Sequence, residues 1–426
     1  MNKAYLVAFG SVAVAAATLV PILAQGSVTR VSMWYHAGTG SERDALNTSV
    51  KNFNTANRDV QIDLQVLPEG SYNDQVNAAA LAGGLPCVLD FDGPNLYNYA
   101  WSGKLVPMDK YVTNALKADI LPSTLKSGTY RGKVYGLGQF DGGLAIWGNR
   151  DLLQKAGVRI PTTIAQRWTR AEFEDALKKL KASGLQFPLD MKLNYGVGEW
   201  YTFGFSPIMQ SFGGDLINRQ TYKTANGVLN GAASVQGMTF LQSLVKNGYV
   251  NPRPAGDADF IEGRAALSYV GHWTYADYSK ALGNKLVLIP MPRFGNRVVT
   301  GNGSWSWGIS SDCKVPDQAA RVVQFLMSTE EVLRMANANG AVPSLKSAQA
   351  RSRLYASGGP LRVYADQLNA GYGLERPVTP AYPAITTAFA EAVNNIFAGA
   401  DVKGELDKAV RKIDQNIEDN RGYPER

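Results

Sequence analysis

Residues that bind metals or form disulfides are scarce in this 426-residue chain, which has two histidines, His36 and His272, and two cysteines, Cys87 and Cys313. No Cys/His spacing fits a zinc site, so no metal is expected. The cysteines lie far apart, and in an exported protein they either pair or stay as two buried thiols. A Gly-x-Ser-x-Gly elbow, a P-loop and a His-Glu-x-x-His signature are all missing. Ester, nucleotide and metalloprotease chemistry are therefore disfavoured, and no cofactor is expected. There is no internal repeat and no low-complexity linker. After the first 24 residues no segment is long and apolar enough to span a bilayer. Basic blocks are absent too: the net charge of +7 is spread along the chain. It becomes +6 without residues 1–24, which hold only Lys3. Nucleic-acid binding is not indicated, while an anionic surface or partner is compatible with the charge.

What is present is ordinary for a globular protein: 45% hydrophobic and 19% charged residues. The length exceeds one ordinary core and predicts two lobes. Residues 1–24 carry one lysine, the apolar stretch Leu6–Val20 and a Pro21-to-Ala24 end. They read as a secretory signal peptide cleaved near Ala24, with an uncleaved anchor as the alternative. No cysteine follows the apolar run, so no lipoprotein anchor is expected.

Downstream, the pattern alternates strand and helix. Val28–Tyr35 reads as a strand, and Ser41 with Asp44 as a capping box for a helix bearing Leu46, Val50 and Phe53. Val60–Val66 alternates as a strand, and Ser71 with Asp74 caps the next helix. Cys87–Phe91 reads as a buried strand of a parallel sheet, with Asp92-Gly93-Pro94 at its carboxyl end. This order predicts an α/β fold. Gly132–Gly157 reads as strand, glycine-rich joint with the single acid Asp141, strand, and a helix capped by Asn149; on its own it is best taken as a hairpin. Later, Thr169 and Glu172 cap a helix, Asn194–Phe205 is aromatic and glycine-rich, and Trp305, Trp307 and Ile309 alternate as a strand.

GKVYGLGQFDGGLAIWGNRDLLQKAGV, starting at Gly132, resembles the first interdomain crossing of the extracellular sugar-binding proteins (family 1) that feed ABC importers. Segments Trp34–Glu42, Ala78–Val88, Gly103–Asp109, Phe260–Leu267 and Gly340–Ser344 resemble further motifs of that family in the same order. One departure is Cys87, where the family usually has Asp. The resemblance implies a two-lobed periplasmic-binding-protein fold (type II), each lobe a mostly parallel sheet flanked by helices. It places residues 25–138 and 308–355 in the first lobe, and 139–307 and 356–426 in the second. Both cysteines then fall near first-lobe strands, which favours a Cys87–Cys313 disulfide.

Sugars present hydroxyls around an apolar ring face, so their sites need carboxylates, amides or Arg, together with aromatic plates. Glu42, Asp92 and Asp141 each follow a strand or open a helix, where an open α/β sheet binds its ligand. Singly, each is better explained by helix dipole or turn chemistry. The resemblance favours them jointly, because maltose/trehalose-type relatives use acids at matching places. Trp273 and Trp305 sit in glycine-loosened loops, the latter after Gly303, and are expected as stacking platforms. Trp200 and Tyr201 form a weaker third platform, whereas Trp307 reads as core. Arg376 resembles a late basic residue that clamps sugar hydroxyls, with a surface salt bridge as the equal alternative. His36 is a possible donor to a hydroxyl.

The resulting expectation is a monomeric, non-enzymatic periplasmic component of an ABC sugar importer, closing on a maltose-, trehalose- or sucrose-like sugar and docking on membrane permease subunits. A secreted glycoside hydrolase is the alternative from another class. A sugar sensor, and a binding protein for a glucosylated solute or glycerol phosphate, share the fold.

Overall fold

The computed structural model describes Met1, residues 28–256 and residues 258–424. The expected signal peptide lies outside the described residues. Among those that are described, no helix is long and apolar enough to cross a membrane.

Two four-stranded sheets organise the molecule. In the first, the strand order is Trp305–Ile309, Val88–Asp92, Thr29–His36, Val60–Leu67. Val88–Asp92 is buried along its whole length, as befits an apolar inner strand. Val60–Leu67 leaves Asp63, Gln65 and Val66 exposed at the edge. Thr29–His36 runs parallel to both neighbours, and Trp305–Ile309 is antiparallel to Val88–Asp92. The late strand thus returns to the first sheet from far along the chain.

The second sheet orders Leu286–Ile289, Leu144–Asn149, Leu267–Gly271 and Leu189–Asp190. It is mixed rather than mostly parallel: Leu144–Asn149 is antiparallel to both neighbours, and only Leu189–Asp190 pairs in parallel. Each sheet has its own apolar core. One gathers Val31, Leu46, Phe53, Val88 and Ile309 with the helices Pro316–Leu326 and Thr329–Asn339. The other gathers Ile146, Phe173, Leu177, Phe205 and Leu267 with the long C-terminal helices Tyr382–Phe397 and Val402–Asp419.

Local details differ from the sequence reading in instructive ways. The first helix, Gly40–Ala56, is capped by Thr39 with Glu42 at the third position, not by Ser41 with Asp44. Glu is long enough to reach back to the cap amide, which the shorter Asp is not. Ser71 precedes its helix without making a side-chain cap bond. Thr169 with Glu172 forms the expected reciprocal box, and Asn149 caps Arg150–Lys155. The aromatic, glycine-rich stretch is a helix, Glu199–Ser211, buried along almost all its length despite Pro207.

Cys87 and Cys313 are joined by a disulfide across 226 residues of sequence. Cys313 sits in the turn after Trp305–Ile309 rather than in a strand, and Cys87 lies just before Val88–Asp92. The bond staples the two adjacent ends of the first sheet.

Candidate functional site

Two short strand pairings outside the main sheets frame one cleft. Phe140–Asp141 pairs with Val342–Pro343, and Thr300–Asn302 pairs with Gly373–Glu375. The cleft between them is lined by Thr124, Phe140, Asp141, Ser304, Trp305 and Glu375, among others. As it stands it leaves only about 10 Å3 for the centre of a water-sized molecule. Small-molecule sites run to roughly 300–1,000 Å3. A disaccharide therefore needs the walls to part.

Asp141 sits on the floor and is buried. Its Oδ1 accepts the amide of Gly142 at 2.7 Å and that of Gly303 at 3.0 Å. Gly303 has φ +91, a left-handed conformation that a side chain disfavours, and this conformation turns its N–H onto the carboxylate. Among the described residues Oδ2 has no hydrogen-bond partner. Burial raises the Asp141 pKa from 3.8 to about 6, opposed by the two amides and reinforced by the negative charge of Glu375.

Trp305 opens a strand instead of lying in a loose loop, and it is only half-buried. Its indole stacks on the His36 imidazole, with ring centres 3.6 Å apart and planes 6° from parallel. His36 is fixed in turn by the Asp90 carboxylate, which bonds both its Nδ1 and its backbone amide. His36 therefore backs the Trp305 plate and is itself buried. Tyr72 approaches the same indole edge-on at 5.6 Å and donates to the Asp90 carbonyl.

Arg376 is neither a surface salt bridge nor open to a ligand through its two terminal nitrogens. It is buried, and these nitrogens donate to both Asp92 oxygens at 2.6 Å. Nη1 also reaches Glu199 Oε1 at 2.6 Å. Tyr382 and Thr386 donate to Glu199 as well. Asp92 lies on the first sheet, while Glu199 and Tyr382 belong to helices of the second core, so Arg376 bridges the two halves. Burial opposes the guanidinium's charge, but Asp92, Tyr382 and Glu199 together hold its pKa well above the usual value. Burial raises the Glu199 pKa, Arg376 lowers it, and Asp92 raises it again.

The remaining expected residues separate. Glu42 is buried and engaged in its helix cap, with its other oxygen accepting from Asn339 Nδ2 at 3.1 Å. Trp200 is buried, donates to the Met191 carbonyl and meets Trp273 edge-on at 5.9 Å. Tyr201 packs into the second core against Phe205 and Phe397, which rules it out as a platform in this arrangement. Trp273 is half-buried in the turn His272–Thr274 and donates to the Tyr195 hydroxyl at 3.2 Å. Its ring folds back over Gly271, where a Cβ would lie 1.9 Å from it, so only glycine fits there. It does not line the cleft that holds Asp141 and Trp305.

Of the expected set, Asp141, Gly303 and Trp305 share one cleft, and Asp92 with Arg376 forms the adjoining bridge. Glu199 and Glu375 were not anticipated. Glu375 neighbours Arg376 in sequence and was the more findable of the two. Among the described residues, no three His, Cys, Asp or Glu side chains gather to hold a metal ion.

Comparison with known proteins places the chain and its fold. The chain is 23% identical over 322 residues to the arabinooligosaccharide-binding protein of Bacillus subtilis, covering 71% of this chain and 70% of that one. Its fold is similar to an ABC substrate-binding protein from Listeria monocytogenes solved with cycloalternan (TM-score 0.78, 21% identity, 92% and 99% of the two chains). It is also similar to the maltose/maltodextrin-binding domain from Bdellovibrio bacteriovorus bound to maltotriose (TM-score 0.77, 20% identity, 92% and 100%). The profile of the bacterial extracellular solute-binding proteins matches residues 48–358, well over half the sequence. The chain belongs to that family.

Proposed function

We propose that this protein is the non-enzymatic, exported binding component of an ABC sugar importer, capturing a di- or oligosaccharide of the maltose, trehalose or sucrose kind. In this reading residues 25–138 with 305–355 form one lobe and 139–304 with 356–426 the other; the boundary expected at 308 moves to 305 because Trp305–Ile309 pairs as a whole in the first sheet. The protein acts as a monomer in the periplasm and passes its ligand to membrane permease subunits. The observation that carries the proposal is the pairing of Trp305 with Asp141 in one interlobe cleft. An indole plate held rigid by His36 offers an apolar surface to a sugar ring, and the free Asp141 Oδ2 accepts from a hydroxyl beside it. The sugars named for the relatives above support the ligand class. Closure follows when a ligand touches both lobes at once and shifts the population towards the shut form.

The test is a titration of the mature protein with maltose, trehalose, sucrose, cellobiose, glucose and glycerol phosphate, following tryptophan emission. The expected result is a saturable change with one sugar, which is then recovered intact. Cleaved sugar would transfer the case to a glycoside hydrolase using Asp141 and Glu375. No response from any sugar would overturn the proposed ligand class.

A further inference from the structure

The chain is basic overall, yet its cleft is acidic. Asp141 and Glu375 line it, Asp92 and Glu199 adjoin it, and Arg376 is the cation bonded among them. Both terminal nitrogens of Arg376 are spent on Asp92 and Glu199, so Asp141 and Glu375 keep no ion-pair partner among the described residues. A second observation points the same way. Thr124 lines the cleft and is only 6% exposed, and its Oγ1 has no hydrogen-bond partner among the described residues. A buried hydroxyl without a partner is costly, and a ligand's polar group can remove that cost.

Resting on the sugar reading above, we propose that the ligand is a sugar bearing a protonated amine, whose ammonium sits between Asp141 Oδ2 and Glu375 while its ring lies on Trp305. A neutral hydroxyl supplies one donor and no charge. When the lobes shut over it, an ionised Asp141 loses its remaining water and is driven to take a proton. An ammonium offers three donors and the missing charge, so it can meet Asp141 and Glu375 together and leave a donor over for the cleft wall. The groups facing Asp141 are Glu375, Arg376, Tyr355 and, beside Gly142, His272. Burial lowers the pKa of His272 and keeps its ring neutral, so it offers no competing cation.

The experiment is isothermal titration of the mature protein at pH 7.5 with matched pairs: trehalose against trehalosamine, and cellobiose against chitobiose. Diacetylchitobiose serves as an uncharged amide control, and putrescine as an amine without a ring. The expected result is at least tenfold tighter binding of one amino sugar than of its neutral parent. That preference should shrink as the pH falls below about 6 and Asp141 takes up a proton. Asp141→Asn should abolish the preference while Trp emission still reports a folded protein. Equal or tighter binding of a neutral parent would overturn the amine inference and leave the sugar reading standing. Putrescine binding without any sugar would support the cation site and overturn the sugar. Silence with all probes would overturn both.

Discussion

Replacing Asp141 by Asn separates what this side chain does for the ligand from what it costs the fold. Asn keeps an Oδ1 that can accept from Gly142 and Gly303 and fills the same volume, but it carries no charge. In the folded protein the Asp141 pKa is about 6, against 3.8 in the absence of burial. A raised carboxyl pKa means that the folded state holds the proton more tightly than the unfolded chain. Below pH 3.8 both states are protonated and nothing is lost. Stability then falls as the pH rises from about 4 to 6, and the penalty is complete above that. A shift of about two units at 1.36 kcal/mol each is about 3 kcal/mol. At about 2.1 cal/mol/K per residue over roughly 400 residues, this corresponds to a Tm gain of about 3–4 °C for Asp141→Asn. Scanning calorimetry at pH 7.5 should show that gain, and at pH 4.0 it should nearly vanish. The same variant should bind its ligand at least tenfold more weakly, because an amide donor replaces the Oδ2 acceptor. An unchanged or lowered Tm at pH 7.5, or an equal change at both pH values, would refute the claim that burial of this charge opposes folding.

Arg376→Met should leave Asp92 and Glu199 buried side by side without their cation. Breaking a buried pair costs roughly 3–5 kcal/mol. Urea denaturation should register that loss, and adding Glu199→Gln should recover part of it. Trp305→Ala should weaken ligand binding by 10- to 100-fold, or roughly 1.4–2.7 kcal/mol, measured by calorimetric titration. Tyr201→Ala should instead lower stability by roughly 3 kcal/mol or more with little change in affinity, since that ring lies in the core. Paired Cys87→Ser and Cys313→Ser replacements should cost roughly 2–5 kcal/mol, as does reduction, because the bond closes a loop spanning about half of the chain. Affinity should hold in that variant, and a matching fall in affinity would show that the staple also shapes the cleft.

The parts of the fold that were legible in the sequence are those written locally. Alternation marked Val60–Leu67 and Trp305–Ile309, an apolar run marked Val88–Asp92, and Thr169 with Glu172 and Asn149 marked helix starts. The stretch holding Asp141, by contrast, read on its own only as a hairpin and took its meaning as a crossing from the family resemblance. Two overlapping capping boxes competed at the first helix, and carboxylate reach decided between them. The helix Glu199–Ser211 escaped because it is buried on nearly every side, so no polar face gave it a period, and Gly204 and Pro207 masked its propensity. Glu199 was hidden for a further reason: its meaning comes from Arg376, 177 residues away, just as Asp92 and Arg376 meet across 284. A single sequence carries no signal for such pairings. The mixed second sheet was equally out of reach, since strand direction depends on how the chain enters from the crossing.

The balance of contacts between the two halves argues for a closure that a ligand can control. Each sheet keeps its own apolar core, and several bridges between the halves are polar. Arg376 joins Asp92 to Glu199, Asn98 donates to the Pro380 carbonyl at 2.7 Å, and the His272 ring bonds the Asn339 carbonyl at 2.8 Å. Near the C-terminus Tyr423 meets Trp101 edge-on at 4.8 Å, and the Trp101 indole donates to the Pro424 carbonyl. Water can replace hydrogen bonds of this kind at a net cost near 1 kcal/mol each, whereas parting an apolar core has no such substitute. Val342 and Tyr355 of the first lobe reach into the second core, so opening must also part some apolar contact there, beside the buried Arg376 bridge. On the proposed reading, a ligand that touches Trp305 on one side and Asp141 on the other adds its contacts to the shut form alone. A few kcal/mol of such differential binding is enough to invert an equilibrium poised this way.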